Sequence, residues 1–185
     1  MAPLFFSQHL SEKLDDLRRA PLSVIEGPAG YGKTTSVHRA LDGTDSDVFW
    51  YTAVKETADS SFSWFVHHLE DADTYAPAKL RSLGSLNRSN ARTAAEIIRD
   101  IRTEREIYLV IDNFQYVLEG WQPQIIDSLA KRPHDGLHVI LITQDLGRHR
   151  RITDALESSV CRINAADFLL NENDIRDFAA AAGLH

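Results

Sequence analysis

Gly27-Pro28-Ala29-Gly30-Tyr31-Gly32-Lys33-Thr34 fits the pattern G-x-x-x-x-G-K-[ST] at every fixed position. The spacing has a physical logic. Glycines let the backbone curl, so that successive N–H groups turn inward toward one anion. A helix that opens near Lys33 adds the positive end of its dipole. At ordinary residue frequencies such an octamer arises by chance in well under ~1% of chains this long. Its surroundings also match. The apolar run Leu22–Glu26 (LSVIE) precedes it as a strand, and Lys33–Leu41 follows as a helix ending near Asp42-Gly43.

Further along, Glu106–Ile111 (EIYLVI) reads as a strand buried on both faces, and it runs directly into Asp112. In phosphate-loop proteins a carboxylate at that place anchors Mg²⁺, with the loop threonine as the other protein group. The expected set is therefore Gly27, Pro28, Ala29, Gly30, Tyr31, Gly32, Lys33, Thr34 and Thr35 around the phosphates. Lys33 would sit between the β- and γ-phosphates, and Thr35 would reach the α-phosphate. Thr34 and Asp112 would hold the metal. The position after Asp112 is Asn113, whose amide can hold a water but cannot take its proton. Lys33, Asp112 and Asn113 are thus the candidate catalytic residues, with binding better supported than rapid hydrolysis. Asn113 reads equally as a turn residue after a strand, and Gln115 is another amide able to orient a water.

The rest of the chain alternates strands with helices, which implies a parallel sheet covered on both faces. Asp47–Val54 (DVFWYTAV) is a second strand candidate, Leu137–Thr143 (LHVILIT) a fourth and Ser159–Ile163 (SVCRI) a fifth. Helical stripes run through Phe62, Phe65, Val66 and Leu69, through Ala94 to Ile101, and through Trp121, Ile125, Ile126 and Leu129, the last closed by Arg132-Pro133. Asn171–Ala182 reads as a helix with Asn171 as cap and Gly183 as stop. Residues 72–91 are weakly patterned and read as a long connection, with at most a turn of helix. The expected fold is α/β, a three-layer sandwich around a mainly parallel five-stranded sheet, over residues 1–185 as one domain. Thr143 and Gln144 end the fourth strand, where a side chain either senses the γ-phosphate or simply closes the strand. The basic run Gly147-Arg148-His149-Arg150-Arg151 is either a solvated loop or a neutraliser of phosphate charge.

Composition narrows the partners. The 185 residues carry 20 Lys+Arg against 27 Asp+Glu, a net charge of −7, so this chain is not expected to bind DNA or anionic lipid. One cysteine, Cys161, cannot form an internal disulfide and sits in an apolar run as a core filler. With no signal peptide and no long apolar span, a cytoplasmic location is expected. The eight histidines show no metal spacing. No N-K-x-D motif reads a guanine, which favours adenine nucleotides.

In order along the chain, GPAGYGKTT, FWYTAVKETADSSFSWFVHHL, YLVIDNFQYV, LHVILIT and INAADFLLNENDIRDFAAAAG resemble the signal-transduction ATPases called STAND. Within them the likeness is to the ATPase core of large LuxR-type, maltose-activator-like transcriptional regulators. The resemblance implies a P-loop NTPase of the ASCE/STAND kind that exchanges ADP for ATP with Mg²⁺, self-associates when opened, and binds DNA through a C-terminal helix-turn-helix. It implies that residues 1–185 are the N-terminal piece of a longer regulator, without its lid, sensor repeats and helix-turn-helix. Three departures stand out. Asn113 replaces a second acid, Gln144 replaces an arginine, and Phe5-Phe6-Ser7-Gln8 lacks the arginine of the adenine-contacting segment. The other expectation is a self-contained P-loop ATPase or kinase, with Arg81, Arg88 and Arg92 in a lid over residues 72–92.

Overall fold

The run that ends in Asp112 becomes a strand buried along its whole length. In a computed structural model, which describes residues 5–55, 58–71, 73, 75–103, 105–132, 136–146 and 160–182, β3 (Ile107–Asp112) lies between β2 (Asp47–Thr52) and β4 (Leu137–Thr143). β1 (Leu22–Glu26) pairs with β4 on its other side, and β5 (Cys161–Ile163) closes the far edge. All four pairings are parallel, in the order β2-β3-β4-β1-β5. The register puts Thr52 opposite Asp112 and Glu26 opposite Thr143, so the carboxyl ends of four strands lie level at one edge.

Alternation along the strands divides the core into two layers. Leu109 and Ile111 of β3, with Val139 and Leu141 of β4, face α3 (Ala58–His68), α4 (Ala76–Ser82), α5 (Ala91–Arg99) and α6 (Pro123–Ala130). Tyr108, Val110, Ile140 and Ile142 face the other way, onto α1 (Gln8–Leu17) and α2 (Lys33–Leu41). Each central strand therefore needs apolar side chains at successive positions, which is why these segments read as near-continuous hydrophobic runs. The expected α/β three-layer sandwich with five parallel strands is the observed fold. None of the described helices is long and apolar enough to cross a membrane.

Two elements differ from the sequence expectation. The segment read as a connection, 72–91, contains α4. The Asp73 carboxylate accepts from the N–H groups of Tyr75 and Ala76 at its start, Pro77 sits in its first turn, and Leu80 is buried. Seven residues are too few to show a periodic stripe, so a cap and a proline define the helix instead. The second element is α1, to which no structure was assigned. Its Leu10, Leu14 and Leu17 are buried, and the Ser7 hydroxyl caps it by accepting from the Leu10 N–H. Ends also shift: β2 stops at Thr52 and β5 starts at Cys161. The last helix, α7 (Glu172–Ala181), is capped by Asn171 in a reciprocal box with Asp174, as expected. Pro133, the basic run Gly147–Arg151, Ser159 and the Gly183 stop lie outside the described residues.

One polar clip fastens α1 to the turn after β5. The Asp167 carboxylate takes the Asn164 N–H at 2.8 Å, Lys13 Nζ at 2.9 Å and His9 Nε2 at 2.8 Å. Burial pushes this carboxyl up, but the Asn164 N–H, Lys13 and His9 outweigh it and hold it below its ordinary 3.8. A depressed folded-state value means stability that is present above about pH 4 and lost as the pH falls through the folded value. Asp167→Asn should therefore lower unfolding stability by about 1–2 kcal/mol at pH 7, with the gap to the parent protein narrowing at pH 3. Urea midpoints at the two pH values check this, and a gap that widens on acidification would contradict it.

Candidate functional site

The loop after β1 curls back over the carboxyl edge of the sheet. Gly30 and Gly32 adopt φ of 84° and 83°, left-handed values that a side chain makes costly, although open space surrounds both. Backbone conformation, not crowding, demands glycine there. Gly27 lies beside Ala165, whose backbone a Cβ on it would approach to 3.4 Å, an ordinary contact. α2 then starts at Lys33. No side chain caps its first turn, and the Ser36 hydroxyl spends its proton on Gly32 O at 3.0 Å. The leading N–H groups of α2 are left facing the mouth of the loop, an arrangement suited to an anion.

Beneath that mouth lies a cavity of about 390 Å³. Its walls include Lys33, Thr34, Asp112, Asn113, Thr143 and Gln144, so the structure brings these sequence-selected residues together. Lys33 is 8% exposed, and its ammonium donates to Gly27 O at 2.7 Å and Pro28 O at 2.8 Å. Burial pushes its pKa down and the Asp112 carboxylate partly restores it. The Thr34 hydroxyl donates to Asp112 Oδ2 at 2.9 Å, while Asp112 Oδ1 accepts the Asn113 N–H at 2.8 Å. A hydroxyl and a carboxylate, both hard oxygen donors, thus share one point directly beside the loop lysine. That pair fits Mg²⁺, which binds through one or two protein oxygens and fills its octahedron with phosphate oxygens and waters.

Asn113 is the one described non-glycine residue with positive φ, at φ 59° and ψ 39°. Asparagine tolerates this region better than most residues. The strained turn carries its side chain to the cavity wall and sends the chain into a short helical turn, Phe114–Tyr116. Gln115, on that turn, crosses to the end of β4. Its Oε1 accepts the Thr143 hydroxyl and the Gln144 N–H, each at 3.2 Å.

Three of the proposed loop residues, Gly27, Pro28 and Tyr31, do not line this cavity. Tyr31 instead lines a second, more apolar cavity of about 440 Å³ with Phe5, Phe6, Phe168, Leu170 and Phe178. Gly32 and Thr35 border both cavities, so the two adjoin across the loop. The sequence reading does not find Phe168, Leu170 or Phe178, because nothing local marks an apolar residue as pocket wall. Glu26 carries no local signal of its role either. Its Oε1 accepts the Leu146 N–H at 2.8 Å and its Oε2 lies 3.6 Å from Arg162, tying the loop after β4 to the end of β1. The arginines considered for a lid are not at the site: Arg81 pairs with Glu70, Arg92 with Glu96, and none lines the phosphate-sized cavity. Cys161 is half-buried against the α1–α2 layer, and burial pushes its thiol pKa up, consistent with a filler.

A family model described as AAA domain matches residues 16–152, most of the chain. Among curated proteins none matches. Among solved structures, a signal transduction ATPase with numerous domains (STAND) and a tetratricopeptide repeat sensor, from Pyrococcus horikoshii, superposes with a TM-score of 0.52 at 19% identity. The match covers 98% of this chain and 26% of that one. A Walker-type ATPase of Pyrococcus abyssi gives a TM-score of 0.47 at 14% identity, covering 98% and 60%. The chain therefore spans about a quarter of the length of the first of these.

Proposed function

From the premise that the chain belongs to the AAA domain family, with the fold of a P-loop ATPase core, we propose that it is an ATP/ADP-binding switch with slow or no hydrolysis. In this reading residues 1–185 form the nucleotide-binding unit of a longer signal-responsive regulator of the LuxR kind. Sensor repeats and a helix-turn-helix in that longer protein would read the signal and bind DNA, and the ATP-bound form would self-associate. The observation that carries the nucleotide reading is the Thr34–Asp112 contact at 2.9 Å beside the buried Lys33 ammonium.

Each residue has a task in that reading. The N–H groups of residues 30–35 would face the α- and β-phosphates. Lys33 would exchange its two carbonyl partners for phosphate oxygens, a gain because charge-assisted bonds to anions are stronger than bonds to neutral carbonyls. Thr34 and Asp112 would hold Mg²⁺, whose contribution is to neutralise the β- and γ-oxygens. The apolar cavity beside Tyr31 would take the nucleobase on ring faces. Of its two serines, Ser7 Oγ accepts the Leu10 N–H and keeps its proton to donate, while the Ser36 hydroxyl donates to Gly32 O and can still accept. Asn113 faces the cavity where a proton acceptor would be needed and cannot act as one.

Calorimetry on the full chain tests the reading: Mg-ATP and Mg-ADP should both give saturable binding, and no heat at millimolar nucleotide would overturn it. Turnover should stay below ~1 s⁻¹, under the ~10 s⁻¹ typical of enzymes. Asn113→Asp should raise turnover at least tenfold, since a positioned base contributes roughly 10²–10⁴ and aspartate tolerates the same backbone region. A parent rate above ~1 s⁻¹ by phosphate release would refute the switch and favour a self-contained ATPase. The charge of −7 predicts no gel shift of DNA by this chain alone.

A further inference from the structure

We propose that the outer edge of β2 pairs antiparallel with the same edge of a second copy of this chain, joining two sheets into one across a two-fold axis. The contact lies away from the phosphate cavity, whose lining includes no residue of β2, so it stands apart from the nucleotide reading.

β2 is the end strand of the sheet and pairs with β3 on one side only. The Asp47 N–H donates to Glu106 O and the Ala53 N–H to Asp112 O, so the odd-numbered positions turn their main chain toward β3. By the two-residue period of a strand, Val48, Trp50 and Thr52 turn theirs outward. The main chain of those three makes no hydrogen bond to any described residue. A row of donors and acceptors is left open, which is a template for another strand.

Natural sheets usually protect such an edge with a lysine, a proline, a bulge or a very short strand. At the far edge β5 follows that rule, with three described residues and Arg162 in the middle. β2 does not. Its register with β3 is unbroken from Asp47 to Thr52, and the run Val48–Val54 (VFWYTAV) has no charge, proline or glycine. The strand is also held in place from both faces. The Trp50 ring stacks on His38 of α2 at 3.9 Å, and on the opposite face the Phe49 ring stacks on His68 of α3 at 4.3 Å. With its rings clamped, the strand gives up little further freedom on pairing.

The residues of the strand point to its own copy as the occupant. An antiparallel pairing centred on Tyr51 sets Trp50 against Thr52, two positions with outward main chain, so they exchange hydrogen bonds. It sets Val48 against Val54, which are 38% and 50% exposed, and each covers the other. It also brings Asp47 alongside Lys55, both exposed, so each end of the pairing carries one acid and one base. Asp47 already holds Arg105 at 3.1 Å in its own chain, and Lys55 of the second copy would join that exposed network. A foreign strand would have to supply this pattern, whereas a second copy already has it.

A single strand pair is a small interface, so the dimer should be weak, with a Kd of about 30 μM. Sedimentation equilibrium of the full chain without nucleotide, over roughly 3–300 μM to span that Kd, should show monomer passing to dimer. Val48→Lys places a charge on the edge and should weaken the dimer at least tenfold, with the urea midpoint of the monomer unchanged. Lys55→Asp sets acid against acid at two equivalent contacts and should weaken it about fivefold. Adding Asp47→Lys to Lys55→Asp should restore it. Adding Glu172→Lys on α7 instead repairs only the net charge and should not. A chain that stays monomeric throughout would overturn the inference and leave the edge to a different partner. So would a dimer that forms only with nucleotide, one indifferent to Val48→Lys and Lys55→Asp, or equal rescue by Glu172→Lys, since each would place the contact elsewhere.

Discussion

Lys33→Ala should weaken Mg-ATP and Mg-ADP binding by about 100-fold while leaving the fold intact. Lys33 is the one cationic side chain among the described residues lining the cavity. It is 8% exposed, so its field is poorly screened by water. Replacing it removes charge-assisted bonds worth about 1.5–3 kcal/mol each and leaves phosphate charge opposite the Asp112 carboxylate. A loss of roughly 3 kcal/mol corresponds to about 100-fold. Its present bonds go to the carbonyls of Gly27 and Pro28, which water can satisfy in its absence, so thermal stability should change little. Lys33→Arg should not rescue binding, because a planar fork needs more room than a point charge. Calorimetry with each nucleotide reads the effect, and affinities within threefold of the parent would defeat the phosphate-loop reading.

Trp121→Ala should produce the largest loss of stability, about 4 kcal/mol. Trp121 is 1% exposed, and its ring meets Phe62, Phe65 and Phe114 edge-on at centroid distances of 5.4 to 5.8 Å. Its Nε1–H donates to Ser61 Oγ at 2.9 Å. Truncation would open a large void beneath α3 and also sever a buried hydrogen bond, two costs that add. Phe114 follows Asn113 directly, so the same void would loosen the turn carrying Gln115. Trp121→Phe keeps three of the ring contacts and should recover about half the loss. Urea unfolding measures both variants. A loss under about 1 kcal/mol for Trp121→Ala would show that the aromatic cluster does not hold α3 to the sheet.

Much of the architecture was legible because its signals are local. The strand from Ile107 to Asp112 needs apolar residues at successive positions, since the sheet is covered on both sides, and that run shows in one dimension. The glycine loop is legible for the same reason: one contiguous stretch of backbone does the work. α4 and α1 were harder. The first is too short for periodicity and announces itself only through Asp73 and Pro77, and the second offers only three spaced leucines in a polar context. That Gln115 meets the Thr143 hydroxyl and the Gln144 N–H was not legible either, because a turn after β3 carries Gln115 across to the end of β4.

From the sequence alone came the phosphate-loop motif, the carboxylate of Asp112 at the end of a buried strand, the amide rather than an acid at Asn113 and the parallel α/β layering. Each depends on residues adjacent in the chain or spaced at a regular period. The tertiary structure alone decided that Phe5, Tyr31, Phe168 and Phe178 wall one apolar cavity, and that Gln115 meets Thr143 and Gln144. Those contacts join segments far apart along the chain. A phenylalanine at a core position and one at a pocket wall obey the same local rules, and only the packing of the sheet with its helices tells them apart.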